Sequence, residues 1–414
     1  LMAPAMADPD TGGRVVAGAG QGGLHVADSL RAEGYSGPIT LIGDETQPPY
    51  HRPPLSKALL NGEVTDAQLG IRGLDFFERQ RITLLTGVRV SSIDRAAQVV
   101  RLDDGRSLSY DGLALATGSR VRPLPVPGAE LEGVFGLRTL DDAHRIGAAL
   151  DAAERVVVIG GGFIGLEVAA SARKRGRTVT VLEAAPRLMA RVVAPFVSDF
   201  YAELHRSHGV DVVLGAQVVA LEGTGGTVSA VRTSDGTVYP ADAVVAGIGI
   251  IANDDLAVAA GLACDRGIIV DDCARTSDPR IAAVGDCTVR IAEGTAPRRL
   301  ESVQNAVEQG KAAAAALLGR ERPFTSSPWF WSDQNDEKLQ MVGLSAGHDR
   351  IVLRGSPAER RFSVFYFRDG ALIAIDSVNR PPDHMTGRKL LDKRVPVTAE
   401  QVADESVQLA ALAR

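Results

Sequence analysis

The chain has 414 residues, of which 45% are hydrophobic and 23% are charged, and its formal net charge at pH 7 is −6. This length exceeds what one hydrophobic core usually organises, so we expect two or three domains. No apolar run reaches the roughly 20 residues needed to span a bilayer, and a negative surface does not attract nucleic acid. The composition therefore argues against a membrane protein and against a nucleic-acid-binding protein.

The first residues and the cysteines bear on the cellular compartment. Residues 1–13 lack the basic start of a secretory signal, and aspartates interrupt their apolar part. Cys264, Cys273 and Cys287 form neither an even set nor a CxxC pair, which is typical of proteins of a reducing cytoplasm. We therefore expect a cytoplasmic protein with buried, unreactive thiols. The seven histidines show no ligand spacing such as HExxH, so no metal site is expected.

A glycine fingerprint of the form GxGxxG occurs twice, about 140 residues apart, and each copy directly follows a short apolar run. The first copy contains Gly18, Gly20, Gly22 and Gly23, and the second contains Gly160, Gly162 and Gly165. In such a fingerprint one glycine makes the tight turn, one lets the backbone approach a pyrophosphate, and one lets the new helix pack on the sheet. The phosphates then lie at the positive end of that helix. Two copies predict two bound dinucleotides.

The elements predicted before residue 130 form one βαβ unit and its exit. They are a strand at 15–17, a helix with Leu24, Ala27 and Leu30 on one face, a strand at 39–42, and a buried strand and glycine turn at 111–118. A proline-rich stretch follows at 123–128, where we predict a domain boundary.

The second unit repeats this order. Its predicted elements are a strand at 156–159, a helix with Leu166, Ala169 and Ala170, a strand at 179–182, and a strand and turn at 243–250. The chain then returns to the first domain, which ends after an alanine-rich helix at 306–318. We predict a discontinuous first domain of residues 1–120 and 251–322, with residues 121–250 as the second.

A third domain is predicted for residues 323–414, which contain no nucleotide fingerprint. Alternating segments at 351–353, 362–367 and 371–375 are typical of an antiparallel sheet. The Asp369-Gly370 pair between the last two segments predicts a hairpin turn. We expect an α+β domain.

An acidic residue ends the second strand of each unit, where a carboxylate can hydrogen-bond ribose hydroxyls. Asp44 follows Gly18 by about 26 residues, and Glu183 follows Gly160 by about 23. A carboxylate at Glu183 would repel the 2′-phosphate of NADPH, which favours NADH. Arg187, four positions later, keeps NADPH open as an alternative.

The segment TSDPRIAAVGDC at 276–287 carries the first family resemblance. Its Gly285-Asp286 pair resembles the second flavin signature of FAD-dependent pyridine-nucleotide reductases. The resemblance implies that Asp286 binds the ribityl chain of FAD. It thereby assigns FAD to the first fingerprint and NADH to the second.

Within that superfamily the chain resembles the oxygenase-coupled ferredoxin reductases of the putidaredoxin reductase type. Four segments carry the resemblance: PPYHRPPLSKALL at 48–60, GGGFIGLEVAA at 160–170, ESVQNAVEQGKAAA at 301–314 and PWFWSDQ at 328–334. The resemblance implies an α/β fold of two Rossmann-like, glutathione-reductase-like dinucleotide-binding domains with a C-terminal α+β domain. Ala252 departs from a family proline, and the flavin signature ends in Cys287, for which the sequence gives no partner.

The resemblance also implies roles for individual residues. Lys57 would lie against the flavin ring and stabilise its anionic reduced form, and Glu167 would bind the nicotinamide amide and pair with Lys57. Trp331 would cover the flavin. The implied cofactor-binding residues are Gly18, Gly20, Gln21, Gly22, Gly23, Asp44, Arg52, Lys57, Val90, Ala116, Thr117, Gly118, Arg138, Gly160, Gly162, Phe163, Ile164, Gly165, Glu167, Glu183, Gly249, Gly285, Asp286, Ser302, Val303, Gln304 and Trp331.

The implied activity is that of an NADH:ferredoxin oxidoreductase. Disulfide reductases of the superfamily carry a redox cysteine in the region of RPPLSK, and this chain has none there. Reduced flavin would therefore pass single electrons to a [2Fe-2S] ferredoxin that serves a cytochrome P450 or a ring-hydroxylating oxygenase. Basic residues that could receive an acidic ferredoxin are Arg298, Arg299, Arg388, Lys389, Lys393 and Arg394.

Two other functions remain open on the sequence. One is a reductase of rubredoxin or of a small molecule such as a quinone or a radical. The other is a redox signalling flavoprotein, which a resemblance to apoptosis-inducing factor permits. We expect a monomer or a weak dimer.

Overall fold

A computed structural model describes residues 12–291 and 297–413, so nearly all of the opening segment lies outside the described residues. The chain divides into two compact units. Within the described residues, unit 1 consists of 12–51, 67–120, 251–291 and 297–326, and unit 2 of 52–66, 121–250 and 327–413. Unit 1 is therefore discontinuous and is interrupted twice, by residues 52–66 and by residues 121–250. The three-domain boundaries stay a prediction, because this division groups 327–414 with 121–250.

The helices and strands of the described residues fall into three stretches of the chain. The first stretch contains β1 (Gly13–Ala17), α1 (Gln21–Ala32), β2 (Ile39–Ile42), α2 (Asp66–Leu69), α3 (Leu74–Arg79), β3 (Ile82–Leu85), β4 (Val90–Asp94), β5 (Val99–Leu102), β6 (Ser107–Leu115) and β7 (Ser119–Val121). The second contains β8 (Val134–Phe135), α4 (Leu140–Ala152), β9 (Arg155–Ile159), α5 (Phe163–Lys174), β10 (Thr178–Glu183), α6 (Pro195–Ser207), β11 (Val210–Leu214), β12 (Val218–Thr224), β13 (Thr227–Thr233), β14 (Val238–Pro240), β15 (Ala243–Ala246) and β16 (Ile250–Ala252).

The third stretch completes the described chain. It contains α7 (Asp255–Ala259), β17 (Ile268–Val270), β18 (Ile281–Ala283), β19 (Thr288–Arg290), α8 (Val303–Leu317), β20 (Trp329–Gln334), β21 (Glu337–Gly343), β22 (Arg350–Ser356), β23 (Arg361–Arg368), β24 (Ala371–Val378), α9 (Pro381–Asp392), α10 (Ala399–Ala403) and α11 (Leu409–Leu412). Short 3₁₀ turns lie at Pro53–Ser56 and Gly285–Cys287. Within the described residues, no helix combines the length and apolar character needed to cross a membrane.

The sheet of unit 1 is a parallel Rossmann sheet with the strand order β3-β2-β1-β6-β18. Helix α1 packs on it through the predicted face, because Leu24, Ala27 and Leu30 are all buried. The N-terminal half of β6 pairs with an antiparallel β4–β5 hairpin instead. The carboxyl ends of the parallel strands therefore meet at one edge, where nucleotides bind in such sheets.

Unit 2 contains a second parallel sheet with the order β11-β10-β9-β15-β8. The first three strands follow the same spatial order as in unit 1, which matches the predicted duplication of the βαβ unit. A three-stranded antiparallel meander, β12-β13-β14, connects β11 to β15. This meander was not predicted from the sequence.

The C-terminal part of unit 2 is an antiparallel sheet with the order β20-β21-β24-β23-β22. The predicted hairpin turn is present, and both Asp369 and Gly370 have positive φ angles, 51° and 76°, as a type I′ turn requires. Phe362 and Tyr366 share one hydrophobic cluster with Val156 and Val158 of β9. Within unit 2, this sheet and the second Rossmann sheet therefore form a common core.

An ionisable pair is buried in that core. The Tyr366 hydroxyl donates to Asp376 Oδ2 at 2.5 Å, and both side chains are buried. Burial raises the pKa of Asp376 to about 7, and the Tyr366 hydrogen bond opposes only part of this rise. The native state therefore holds a proton that the unfolded chain releases near its ordinary pKa.

Replacing Asp376 by asparagine should change how stability depends on pH. The native pKa of Asp376 is raised, so its stabilising contribution is complete below about pH 4 and is lost as the pH rises through about 7, by up to roughly 4 kcal/mol. Thermal unfolding between pH 4 and 8 should show wild type losing stability relative to Asp376→Asn. Asp141→Asn, at an exposed position of α4, is the control, and parallel curves for wild type and Asp376→Asn would contradict the buried-proton interpretation.

Candidate functional site

The first fingerprint forms a turn in unit 1 that only glycine can make. Gly18 has a φ of 117°, and a Cβ on it would lie 2.0 Å from the Ala116 carbonyl oxygen. A Cβ on Gly23 would lie 1.8 Å from the Gly18 oxygen. A Cβ on Gly20, by contrast, would meet no atom within 4 Å. The outer glycines are thus required by packing, and the middle one faces open space at the start of α1.

The second fingerprint repeats this geometry in unit 2. Gly160 has a φ of 105°, and its Cβ would lie 2.4 Å from the Gly247 oxygen, while a Cβ on Gly165 would lie 2.3 Å from the Gly160 oxygen. Gly162 again faces open space. Both helices begin without a side-chain cap, so their first N–H groups remain for a ligand. Each turn therefore fits a pyrophosphate on its helix N-terminus.

Several predicted residues of unit 1 lie beside the first turn. Ala116 follows β6 and provides the carbonyl beneath Gly18. The Thr117 hydroxyl donates to the Asn253 carbonyl at 2.6 Å, and the Asn253 amide donates back to the Thr117 carbonyl at 2.9 Å. Gly118 has a φ of 64°. These bonds fix the loop that follows β6. Asn253 was not among the predicted residues.

The Gly285-Asp286 pair is anchored by side chains of α8. The Gly285 N–H donates to Gln309 Oε1 at 2.8 Å, and Asn305 donates to the same oxygen at 3.0 Å. Ser119 donates to Asp286 Oδ2 at 3.1 Å. Asn305 and Gln309 were not predicted, although their spacing of four residues places them on one helix face.

The other predicted residues of α8 lie at its start. Ser302 is the N-cap and accepts from the Asn305 N–H, and Val303 is the first helical residue. The Gln304 side chain is buried. Gly22 of α1 packs closely on Val284 and on α8, because a Cβ on Gly22 would lie 3.0 Å from the Val284 side chain and 3.8 Å from that of Ala306.

The side chains of three further predicted residues of unit 1 contact other protein groups. Val90 is buried in the core, in a cluster that includes Val100 and Leu102, so any contact with a ligand would use its main chain. Asp44 pairs with Arg89 at 2.9 Å, and the Gln21 amide lies 2.9 Å from His25 Nε2 within α1.

Glu183 is bound to the second fingerprint. It accepts hydrogen bonds from the Gly161 N–H at 2.6 Å and from the Ala185 N–H at 2.7 Å. These bonds fix a carboxylate beside the glycine turn, at the position where the sequence predicts ribose recognition. The two units therefore differ at this place, because Asp44 has no such bond to its turn among the described contacts.

Arg187 stabilises the loop that follows β10. Its guanidinium donates to the Val193 carbonyl at 2.6 Å, to the Ala190 carbonyl at 2.6 Å and to Ser198 Oγ at 2.9 Å. Both terminal nitrogens of Arg187 therefore donate to protein groups between Ala190 and Ser198, which gives this arginine a structural role in the loop.

Lys57 and Glu167 form an ion pair within unit 2, with Lys57 Nζ 3.0 Å from Glu167 Oε1. Lys57 follows the 3₁₀ turn of the RPPLSK segment, and Glu167 lies in the second turn of α5 and is only 4% exposed. Lys57 also lies 3.4 Å from Asp333. The Ser56 hydroxyl donates to Glu167 Oε2. Where disulfide reductases carry a redox cysteine, this segment therefore provides two side chains that bind a carboxylate.

Aromatic side chains of β20 lie near the start of α5. Phe163 packs on Phe330 with ring centroids 4.9 Å apart, and Trp331 lies 5.6 Å from Trp329. Ile164 is 45% exposed, which is consistent with a surface left for a ligand. The sequence had pointed to Phe163, Ile164 and Trp331, and it had not pointed to Phe330.

The remaining predicted residues of unit 2 lie in loops. Arg52 donates to the Arg138 carbonyl at 2.8 Å, and Asp142 accepts from the Arg138 N–H. Gly249 has a φ of 104°, and its carbonyl accepts from the Arg122 N–H at 2.9 Å.

All three cysteines are free thiols. Cys287 is fully buried, where its thiol donates to the Val284 carbonyl at 3.2 Å, and burial raises the pKa of this thiol. Cys264 is only partly buried, and this burial also raises its pKa. The raised pKa values match the prediction of unreactive thiols for Cys264 and Cys287, and the prediction that the thiols are buried is wrong for Cys264. Among the described residues, no group of His, Cys, Asp and Glu side chains is arranged to hold a metal ion.

The predicted basic residues differ in how freely they are exposed. Arg299 pairs with Glu301 at 3.0 Å, while Arg298 contributes main-chain bonds to Arg290. In α9, Arg388 lies over the Trp329 ring at 4.7 Å, and Lys389 is exposed. After it, Lys393 donates to the Ala413 carbonyl and Arg394 is exposed.

Comparison with known families matches almost the whole chain. The pyridine nucleotide-disulphide oxidoreductase model matches residues 14–310, and a reductase C-terminal model matches residues 329–413. The second match covers the C-terminal sheet and α9 to α11.

Individual relatives match over similar lengths. Rhodocoxin reductase of Rhodococcus erythropolis is 48% identical over 396 residues, which is 95% of this chain and 93% of the relative. Putidaredoxin reductase of Pseudomonas putida is 48% identical over 402 residues, 95% of each chain. The solved covalent complex of putidaredoxin reductase with putidaredoxin contains a chain that is 47% identical, with a TM-score of 0.93, covering 97% of this chain and 98% of that one. The chain therefore belongs to the pyridine nucleotide-disulphide oxidoreductase family.

Proposed function

We propose that the chain is an NADH:ferredoxin oxidoreductase that uses FAD and serves a cytochrome P450 or a ring-hydroxylating oxygenase. One observation carries the proposal: two glycine turns have the same steric pattern, and each has open space at its middle glycine. Relatives named as reductases of rhodocoxin and putidaredoxin support the acceptor class.

The assignment of the cofactors follows the family resemblance. Residues of unit 1 around Gly18 to Gly23 and Gly285-Asp286 would hold FAD, and residues of unit 2 around Gly160 to Gly165 and Glu183 would hold NADH. FAD can accept a hydride and can then release its two electrons one at a time. A nicotinamide transfers only hydride and cannot release single electrons in this way. The protein contributes binding, orientation and electrostatics.

Lys57 and Glu167 are the proposed catalytic residues. The Lys57 ammonium is a cation, and a cation close to a bound flavin would stabilise the negative charge of its reduced form. Its pairing with Glu167 at 3.0 Å limits its freedom, so the charge stays in one place. Glu167 retains acceptor capacity for the carboxamide N–H of nicotinamide.

The absence of a thiol relay among the described residues supports an external acceptor. Cys287 is buried and bonded to main-chain carbonyls, and the RPPLSK region contains Ser56 and Lys57 where disulfide reductases have a redox cysteine. The two electrons of a reduced flavin therefore have no redox-active thiol among the described residues to accept them. A [2Fe-2S] ferredoxin accepts them one at a time.

NADH is the proposed donor. Glu183 fixes a negative charge near the ribose position, and Arg187 is engaged by the loop around it. A cytoplasmic location and a monomeric or weakly dimeric state complete the proposal, and three free thiols support the former.

The function is tested by anaerobic mixing of the flavin-loaded protein with NADH and then with oxidised [2Fe-2S] ferredoxin. We expect NADH to bleach the flavin and each NADH to reduce two ferredoxin molecules, with oxidised rubredoxin and a quinone as comparison acceptors. Faster turnover with rubredoxin or the quinone would contradict the ferredoxin assignment. A long-lived reduced protein that reduces none of these acceptors would instead favour a signalling flavoprotein.

A second test concerns the nicotinamide cofactor. Arg187→Ala should raise the KM for NADH by about tenfold, because the loop beside the ribose site loses hydrogen bonds worth about 1 kcal/mol or more in total. The ratio of kcat/KM for NADH to that for NADPH should change less than about threefold. The control is Arg206→Ala, which removes an exposed arginine from α6. A selective loss of activity with NADPH in Arg187→Ala would show that this arginine reads the 2′-phosphate.

A further inference from the structure

A line of buried polar side chains runs inside unit 2 from the Lys57–Glu167 pair to His205 of α6. Its members between the ends are Ser332 and Gln334, both in β20. Ser332, Gln334 and His205 are all 0% exposed. Polar groups that are fully removed from water require hydrogen-bond partners, so the direction of each bond in the line can be worked out.

Every bond in the line donates toward Glu167. The Ser332 hydroxyl donates to Glu167 Oε1 at 2.6 Å, so its oxygen must accept from the Gln334 amide nitrogen, 3.2 Å away. The Gln334 amide oxygen then faces His205 Nε2 at 2.9 Å. Because an amide oxygen only accepts, His205 carries its proton on Nε2.

His205 is a neutral end to the line. Burial lowers the pKa of His205, an effect larger than the opposing one of the Gln334 hydrogen bond. Its Nδ1 is buried and has no hydrogen-bond partner among the described residues. A neutral imidazole that ends the line, followed by an amide, does not provide a path for protons to solvent. The line therefore orients groups and does not conduct protons.

The bonds that reach Glu167 leave one position open on its carboxylate. A carboxylate has about four acceptor positions. Lys57 and Ser332 occupy Oε1, and the Ser56 hydroxyl occupies one position on Oε2. The remaining acceptor position is on Oε2, and no described side chain other than Ser56 donates to that oxygen.

We propose that Gln334 and His205 are positioning residues that direct this open position of Glu167 to the carboxamide N–H of nicotinamide. Because Gln334 donates to the Ser332 oxygen, the Ser332 hydroxyl hydrogen points to Glu167 Oε1. His205 in turn fixes the orientation of the Gln334 amide. The carboxylate consequently cannot rotate without breaking bonds among buried side chains, where an unpaired polar group is destabilising. This inference rests on the proposed function, because it assumes that nicotinamide binds at Glu167.

The test measures whether the line affects recognition of the carboxamide itself. The probes are NAD and 3-acetylpyridine adenine dinucleotide, whose methyl ketone has no N–H to donate. Equilibrium dissociation constants are measured anaerobically for both oxidised dinucleotides on the flavin-loaded protein, and flavin content and melting temperature are recorded. Wild type should bind the carboxamide form about tenfold more tightly than the ketone form.

Gln334→Leu should reduce that preference to about twofold or less, with flavin content unchanged, and His205→Phe should reduce it to about threefold. His205→Gln retains an N–H donor and should restore most of the preference. The matched control is Ser377→Ala, which removes a buried hydroxyl that accepts from Ser363 in the same sheet. It should lower the melting temperature and leave the preference unchanged, because it has no bond to this line.

Two failures can be told apart. If wild type binds neither dinucleotide, the proposed function is wrong. If wild type shows the preference and Gln334→Leu and His205→Phe keep it in full, the proposed function stands and the positioning role is refuted. Should Gln334→Leu not fold, His205→Phe decides the question alone, because it keeps a ring of similar size and removes the donor.

Discussion

The turn of each glycine fingerprint depends on a carbonyl oxygen that lies directly beneath its first glycine. In unit 1 this oxygen belongs to Ala116 and in unit 2 to Gly247, and a side chain on Gly18 or Gly160 would overlap it. The turn can therefore pass over the end of the neighbouring strand only as glycine. That close approach sets where α1 and α5 begin and directs their free N–H groups into open space.

The route that electrons take depends on which side chains the RPPLSK segment provides. In a disulfide reductase a cysteine would receive electrons, but here the segment provides Ser56 and Lys57, and both bind Glu167. A carboxylate that accepts three hydrogen bonds is held in one orientation. Unit 2 thereby offers a fixed cation and a fixed acceptor instead of a thiol relay, and this difference explains why an electron carrier outside the chain is required.

Features that repeat at a regular spacing could be predicted from the sequence. The buried face of α1, the strands at 39–42 and 156–159 and the hairpin at Asp369-Gly370 follow from periodicity and turn chemistry. The meander of β12 to β14 was missed because it is a connection between β11 and β15 within a unit whose other elements had been assigned.

Most side-chain hydrogen bonds of the site could not be predicted, although the family resemblance did imply the pairing of Lys57 with Glu167. Nothing in the sequence indicates that Arg187 bonds its own loop, since the same residue at a ribose site would also suit a phosphate. The line from His205 to Glu167 joins three elements and becomes visible only when α5, α6 and β20 are packed together. Asp44 was predicted by spacing, and the pairing that engages it depends on Arg89 of another segment.

The most direct test of the two-site account places a carboxylate at each middle glycine in turn. Gly20→Asp and Gly162→Asp should both fold, because a Cβ at either position meets no atom within 4 Å, and the new charge should repel a pyrophosphate. Flavin content and bleaching by NADH are then measured. The account predicts that Gly20→Asp lacks FAD, whereas Gly162→Asp retains FAD that NADH no longer reduces. Retention of FAD by Gly20→Asp together with its loss from Gly162→Asp would contradict the assignment.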